Sequence, residues 1–194
     1  MTGCNLRQAH GELPRLDSES EVAAVVYGPT DDPDHLLWRF AHDQRAFGYD
    51  VVGVLQHRRQ SCRGPHRTVS LRFYGDPLSG NSEFVGNPSC DASVSAVESL
   101  LLREIERQPD LVIVNRFGTL EQQGRGFLGA LAAAARLSVP VLIAVPERVF
   151  SQWIAVTCGM AVRLSCRPES VEAWWSSARA FPVGRAPTAC ELYK

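Results

Sequence analysis

Lysine is almost missing from this sequence of 194 residues: of its 20 basic residues, Lys194 is the only lysine and the rest are arginines. A skewed coding composition is enough to explain this bias, but the bias has a chemical consequence. No lysine is available inside the fold as a phosphate ligand, a general base or a Schiff-base amine. Any bound anion must therefore be held by arginine, by backbone N–H groups or by hydroxyls.

Other absences narrow the class of protein. No apolar run approaches the roughly 18 residues that are needed to span a bilayer. The net charge of -1 argues against a general attraction to nucleic acid or to acidic membranes. The first residues lack the basic and apolar regions of a secretory signal, so we expect a cytoplasmic location. The six cysteines form no C-x-x-C pair, which favours reduced thiols.

Apolar runs and turn residues predict one α/β domain over residues 21–181, with a flexible arm at 1–20 and a tail at 182–194. Buried strands are predicted at 21–27, 51–55, 110–114, 139–145 and 160–164. Helices are expected between them, and the helix after the third strand is expected to continue for about twenty residues to Leu137. A period of two over residues 67–86 predicts a β-hairpin after strand two. We therefore expect a mostly parallel five-stranded sheet flanked by helices, with this hairpin inserted.

Two adjacent tryptophans, Trp174 and Trp175, lie in a helix predicted at 168–181. Neighbouring positions on a helix point in different directions. We therefore expect packing roles for these tryptophans but only one of the two indoles in the core; a contact between copies of the chain is an alternative role for the other.

The main candidate site follows the third strand. Ligands of open α/β sheets bind beyond the carboxyl ends of the strands, and here the strand ends in Asn115, Arg116 and Gly118, with Glu121 and Arg125 close behind. Arginine binds oxyanions with two parallel hydrogen bonds, and asparagine donates through its amide. The alternative is a set of surface ion pairs in which Gly118 serves only the turn.

The turn after strand one is a second candidate. It contains Gly28, Thr30, Asp31 and Asp32 and leads directly into a helix, whose free backbone N–H groups form an anion site. However, its one glycine is followed by proline, so the turn lacks the second glycine and the lysine of a Walker loop, and its two aspartates repel phosphate. A plain capped turn is the alternative.

A third group follows strand two, where Gln56, His57 and Arg58 begin an arginine-rich stretch that suits an anionic ligand or partner. His57, Cys62 and His66 are residue types that bind Zn²⁺, but their spacing matches no standard finger and a fourth ligand is missing. They are weak metal candidates, and a basic loop without metal is the expectation.

The sequence resembles a bacterial family called domain of unknown function 2478, over roughly residues 21–180. Four motifs carry the resemblance: Ala24-Val-Val-Tyr-Gly28, Gly53-Val-Leu-Gln-His57, Leu111-Val-Ile-Val-Asn-Arg-Phe-Gly118 with Glu121 and Gly124-Arg-Gly126, and Pro140-Val-Leu-Ile-Ala-Val145. That family is usually met near genes for molybdate uptake and molybdenum enzymes. The resemblance thus implies a role in molybdenum or tungsten metabolism.

The order of elements is also similar, more distantly, to the small P-loop nucleoside triphosphatases with a hairpin after strand two. In that family the third strand ends in Asp-Glu, which serve Mg²⁺ and the attacking water. Asn115 and Arg116 occupy those positions here, and the Walker lysine is missing. Both departures remove the charge neutralisation on which phosphoryl transfer depends.

Three hypotheses follow. The favoured one is a P-loop-like protein that binds a small anion, either a nucleotide or molybdate or tungstate, without hydrolysing it. The second is a Mg²⁺-dependent nucleoside triphosphatase in which Asp31 or Asp32 binds the metal and Glu121 orients water. The third is a scaffold for maturation of a molybdenum enzyme, which docks through its arginine-rich loop and tryptophans and forms a homo-oligomer or a complex with that partner.

Overall fold

The computed structural model describes residues 22–59, 68–74, 83–84, 91–159 and 161–180. The predicted arm at 1–20 and the tail at 182–194 lie outside the described residues, as do the weak metal candidates Cys62 and His66.

Strands of the described ranges form a single mixed sheet. They are β1 (Val22–Tyr27), β2 (Val51–Arg59), β3 (Thr68–Tyr74), β4 (Glu83–Phe84), β5 (Leu111–Asn115), β6 (Val141–Pro146) and β7 (Val162–Ser165). Their order in the sheet is β4-β3-β2-β5-β6-β1-β7. The five strands from β2 to β7 in this order are parallel, and β3 and β4 extend the β2 edge in antiparallel fashion. The predicted parallel sheet with a hairpin after strand two is therefore confirmed, and it is consistent with a P-loop-like fold.

Helices cover both faces of this sheet. They are α1 (Pro33–Ala46), α2 (Asp91–Ile105), α3 (Thr119–Gln122), α4 (Leu128–Arg136), α5 (Phe150–Val156) and α6 (Pro168–Ala180), with a 3₁₀ turn at Glu147–Val149. α1 and α6 pack on one face, whereas α2, α4 and α5 pack on the other. Because both faces are covered, the central strands are apolar up to their carboxyl ends, and β5 and β6 are buried throughout.

The prediction of one unbroken helix after β5 was wrong. α3 ends at Gln122 and α4 begins at Leu128. Between them, Gly124 and Gly126 adopt positive φ angles of 77° and 68°. An α-helix needs negative φ, so these two residues end the helical path despite the alanine-rich sequence that follows.

The prediction that only one of the two tryptophans lies in the core was also wrong. Trp174 is 7% exposed and Trp175 is 3% exposed. α6 packs against the sheet and also against α1, so a wide sector of the helix is buried. The indole Nε1 of Trp175 donates to Oε1 of Gln44 on α1 over 2.8 Å, which satisfies the polar atom in the core.

No helix within the described ranges is both long enough and apolar enough to cross a membrane.

Candidate functional site

The sheet places a crevice at the carboxyl ends of β1 and β6. The chain leaves β1 toward α1 on one face, but it leaves the neighbouring β6 toward α5 on the other face. Connections that diverge from adjacent parallel strands open a gap between the two loops, and ligands of open α/β sheets bind there. The polar residues of this edge are therefore the candidates for function.

A polar cluster lies beside this crevice. Asn115 is fully buried, and its Nδ2 donates to Oδ1 of Asp34 over 2.6 Å. An Nη atom of Arg116 donates to the same oxygen over 2.9 Å, and both charged side chains are largely buried. Asp34 lies in the first turn of α1, so the helix that follows β1 supplies the carboxylate that compensates Arg116.

Asp34 was not predicted as a site residue, although Asp31 and Asp32, just before it in the chain, were predicted candidates. The available signal was the location of Asp34 in the first helical turn, which faces the same edge of the sheet as the residues after β5.

Two atoms of the cluster accept or donate no hydrogen bond among the described residues. They are the buried Oδ1 of Asn115 and the buried Nε of Arg116. A buried polar atom without a partner costs about 1–3 kcal/mol, so such atoms often mark a place where a further group binds. The guanidinium carbon of Arg116 also lies 5.4 Å from the ring centroid of Tyr27, the last residue of β1.

In the turn after β1, backbone N–H groups donate to the turn's own aspartate side chains. The N–H of Gly28 donates to Oδ2 of Asp31 over 2.7 Å, and the N–H of His35 donates to Oδ1 of Asp32 over 3.1 Å. Thr30 is exposed within this turn. Two of the backbone donors that were expected to hold an anion are thus satisfied internally, which matches the capped-turn alternative.

A cleft of about 270 Å³ opens between the carboxyl ends of β1 and β7. Its charged walls are Asp31, Glu147, Arg163 and Arg167. Arg163 lies 3.6 Å from Glu147, whereas the exposed side chain of Arg167 has no partner within the ranges that the structure describes. Neither arginine was predicted from the sequence, because only the pairing of β7 with β1 brings them to the edge of the sheet where β1 ends.

Tyr27 joins the cleft to the polar cluster. The residue lines the cleft, and its ring lies under the guanidinium group of Arg116. Arg116, Arg163 and Arg167 therefore line one continuous edge of the sheet, although Arg116 follows β5, Arg163 lies in β7 and Arg167 follows β7.

Cys166 also lines this cleft. The pKa of its thiol is raised to about 11, mainly by burial and also by the nearby carboxylates of Asp31 and Asp32. The group is therefore a neutral thiol at neutral pH, and it supplies neither a thiolate nucleophile nor a thiolate metal ligand there.

Glu121 is held by the loop that follows α3. Its side chain is 5% exposed, with Oε2 accepting from the N–H of Gly118 over 2.8 Å and Oε1 accepting from the N–H of Phe127 over 3.0 Å. A Cβ atom at Gly126 would lie 2.0 Å from Oε1. These contacts make the carboxylate a clamp between Gly118, which precedes α3, and Phe127, which precedes α4. The exposed Arg125 lies in the loop between these two helices.

The remaining sequence candidates lie on β2. Gln56 is two residues beyond Val54, which pairs with Val114 of β5, so Gln56 reaches the same carboxyl edge as Asn115. His57 and Arg58 continue the strand and pair with β3, but their side chains are outside the described residues.

Comparisons with known proteins place the chain in a family. A family model described as "Protein of unknown function (DUF2478)" matches residues 22–174. The chain is also 34% identical, over 170 residues, to "Molybdenum import ATP-binding protein ModC 2" of Bradyrhizobium diazoefficiens. That alignment covers 80% of this chain and 18% of the relative, so the chain spans less than a fifth of that protein. No solved structure matches the chain. Because the family model covers most of the chain, this protein belongs to the DUF2478 family.

Proposed function

We propose that this protein is an accessory protein of molybdenum metabolism that binds a small anion without hydrolysing it, either molybdate or tungstate or the phosphates of a nucleotide. The observation that carries the proposal is the cleft between β1 and β7, where Arg167 lacks a partner within the described ranges and Arg163 faces the same space. The name of the relative, a molybdenum import ATP-binding protein, supports this choice of ligands.

The volume of the cleft favours the smaller ligands. Pockets that enclose whole organic ligands measure about 300–1,000 Å³. The cleft has about 270 Å³, which suits a tetrahedral oxyanion or a phosphate group better than a complete nucleotide. The guanidinium group of Arg116 lies over the ring of Tyr27 beside the cleft, but its charge is compensated by Asp34, so the positive charge available to a ligand comes from Arg163 and Arg167.

The carboxylates of this edge support binding without hydrolysis. Asp31 and Asp32 each accept a backbone N–H, and Glu121 accepts one with each of its oxygens. Mg²⁺-dependent phosphoryl transfer needs carboxylates that hold the metal and cations that neutralise the phosphates. The second hypothesis would have to free these carboxylates from the turns that they stabilise.

Thermal unfolding in the presence of ligand tests the proposal. A ligand at 100 times its Kd stabilises the folded state by about 2.7 kcal/mol. For a chain of this size 1 kcal/mol raises Tm by about 2–4 °C, so the expected shift is about 5–11 °C. Molybdate, tungstate, phosphate, ADP and ATP are titrated with and without Mg²⁺, and phosphate release is followed in parallel.

Two arginine variants separate specific binding from a general charge effect. Arg167→Ala is expected to remove most of the ligand-induced shift while leaving the Tm of the free protein unchanged, because the side chain is exposed and unpaired within the described ranges. Arg136→Ala, at the exposed carboxyl end of α4, removes the same charge far from the cleft and serves as the control. No Tm shift with any of these ligands would refute anion binding. Mg²⁺-dependent phosphate release that is lost in Glu121→Gln would favour the nucleoside triphosphatase instead.

A further inference from the structure

A second groove, of about 590 Å³, lies between α2 and the loop that leads into α4. Three glycines, Gly124, Gly126 and Gly129, form part of its wall together with Ser95, Glu98 and Arg125. Its volume lies within the range of about 300–1,000 Å³ that is typical of sites for small molecules. No residue of this groove belongs to the cleft between β1 and β7, so the two sites are separate.

Glu98 is the chemically distinctive residue of the groove. Its partly buried carboxylate reaches from α2 to the first turn of α4, where it accepts hydrogen bonds from the backbone N–H groups of Gly129 and Ala130. These two contacts fix the position of the carboxylate and satisfy backbone donors at the start of the helix. A Cβ atom at residue 129 would lie 2.8 Å from Oε1 of Glu98, so glycine is needed for this approach.

Glu98 forms no ion pair with a cationic side chain among the described residues, although Arg125 lies on the same wall of the groove. Burial raises the pKa of its carboxyl, and the like charge of Glu121 on α3 acts in the same direction. Carboxylates that are withdrawn from water are usually paired with a cation or bound to a metal. Glu98 therefore lines a groove in which a positively charged group would gain a favourable electrostatic interaction.

The type of cation follows from the other walls. Within the described ranges, no group of three or more His, Cys, Asp or Glu side chains is arranged to hold a metal ion. An organic cation needs fewer charged ligands, since its N–H groups donate directional hydrogen bonds to one carboxylate and to a neighbouring hydroxyl such as Ser95. Arg125 on the same wall repels a second positive charge, which favours a compound with a single cationic group.

We propose that the groove between α2 and α4 is a binding site for a small organic monocation, an amine or a guanidinium compound, whose charged group pairs with Glu98. The groove would then be a sensing or substrate site in addition to the cleft at the carboxyl edge of the sheet. This proposal does not depend on the function proposed for that cleft.

An NMR titration of the full chain tests the proposal with n-butylamine and butylguanidinium as probes and n-butanol as the uncharged control. Saturable shifts are expected at the backbone amides of Gly124, Gly126 and Gly129 with the two cations but not with butanol. The affinity should fall as the pH is lowered through the pKa of Glu98, because protonation removes the charge; Glu121 and Arg125 are the other charged groups that face it.

Two variants locate the site. Glu98→Gln keeps the shape of the side chain and is expected to weaken binding at least about tenfold, the factor that corresponds to one charged hydrogen bond. Ser95→Trp fills the groove from an exposed helical position and is expected to abolish binding even if Glu98→Gln folds poorly. Glu172→Gln, exposed on α6 across the sheet, is the matched control. The absence of saturable shifts in the wild-type chain, or equal binding by wild type and both groove variants, would overturn the proposal.

Discussion

Glu121 offers the sharpest test of the site geometry, because two nearby glycines differ chiefly in how closely an added Cβ atom would approach its carboxylate. Gly124 and Gly126 both adopt positive φ angles in the loop between α3 and α4. A Cβ atom at Gly124 would meet nothing within 4 Å, whereas one at Gly126 would lie 2.0 Å from Oε1 and 2.7 Å from Cδ of Glu121. Alanine at either position imposes the same backbone cost, but only alanine at 126 displaces the carboxylate.

The two costs can be estimated separately. A residue other than glycine in the left-handed region costs about 1–2 kcal/mol, and this is the whole expected loss in Gly124→Ala. In Gly126→Ala the carboxylate must also release the buried N–H of Phe127, and a hydrogen bond to a charged group contributes about 1.5–3 kcal/mol. The expected loss for Gly126→Ala is therefore about 2.5–5 kcal/mol.

Urea unfolding followed by circular dichroism measures both losses on one scale. Repeating the Gly126→Ala substitution in a Glu121→Ala background removes the contact with the carboxylate, so the cost of the substitution should fall towards the backbone cost of about 1–2 kcal/mol. A small remainder is expected from Cβ of Leu120, which would lie 3.2 Å from the added Cβ atom. Equal losses for the two glycine variants, or an unchanged cost of Gly126→Ala in the absence of Glu121, would refute the clamp that the structure assigns to this carboxylate.

Three further predictions concern the surroundings of the crevice and the core. Asp34→Asn should lower the free energy of unfolding by about 3 kcal/mol, because it leaves the largely buried guanidinium group of Arg116 without a counter-charge. The control Asp43→Asn breaks an exposed pair with Arg39 and should lower it by less than about 1 kcal/mol in the same urea assay. Gln44→Leu should lower the free energy of unfolding by about 1–3 kcal/mol, because it leaves the buried indole N–H of Trp175 without an acceptor. Adding Trp175→Phe, which removes that N–H, should recover part of the loss. Mass-spectrometric mapping at pH 8 should show slow alkylation of Cys166, since the pKa of its thiol is raised to about 11. The neutral thiol should also contribute to the free energy of unfolding below pH 9, and this contribution should be lost as the pH rises through about 11. Rapid labelling of Cys166 at pH 8 would contradict this protonation state.

The fold was largely predictable from the sequence because the central strands are buried on both faces. Such strands appear as unbroken apolar runs, and the segments that became β5 and β6 are buried at every position. The break between α3 and α4 was not predicted, since the helical composition around it outweighed the signal of Gly124 and Gly126. The burial of both Trp174 and Trp175 was missed for a different reason: it depends on α1 lying beside α6, which no local pattern reports.

The candidate site was predictable in location but not in its contacts. Asn115 and Arg116 follow a buried strand, so their place at the carboxyl edge follows from the chain itself. Their partner Asp34 lies 81 residues before Asn115, and the structure shows that both donors converge on one of its oxygens. A contact across that separation requires the pairing of β5 with β6 and of β6 with β1, which the sequence pattern does not report.

The sequence by itself determined which residues could carry charge in this protein. With lysine confined to residue 194, arginine is the only cationic side chain within the described fold that stays charged at every accessible pH, and apolar runs placed several arginines and aspartates at strand ends. Only the tertiary structure decided which of these charged side chains pair with one another. Strand order brings Asp34 onto Arg116 and places β7, with Arg163 and Arg167, beside β1. Charge balance depends on distances across the sheet, and those distances are set by packing rather than by spacing along the chain.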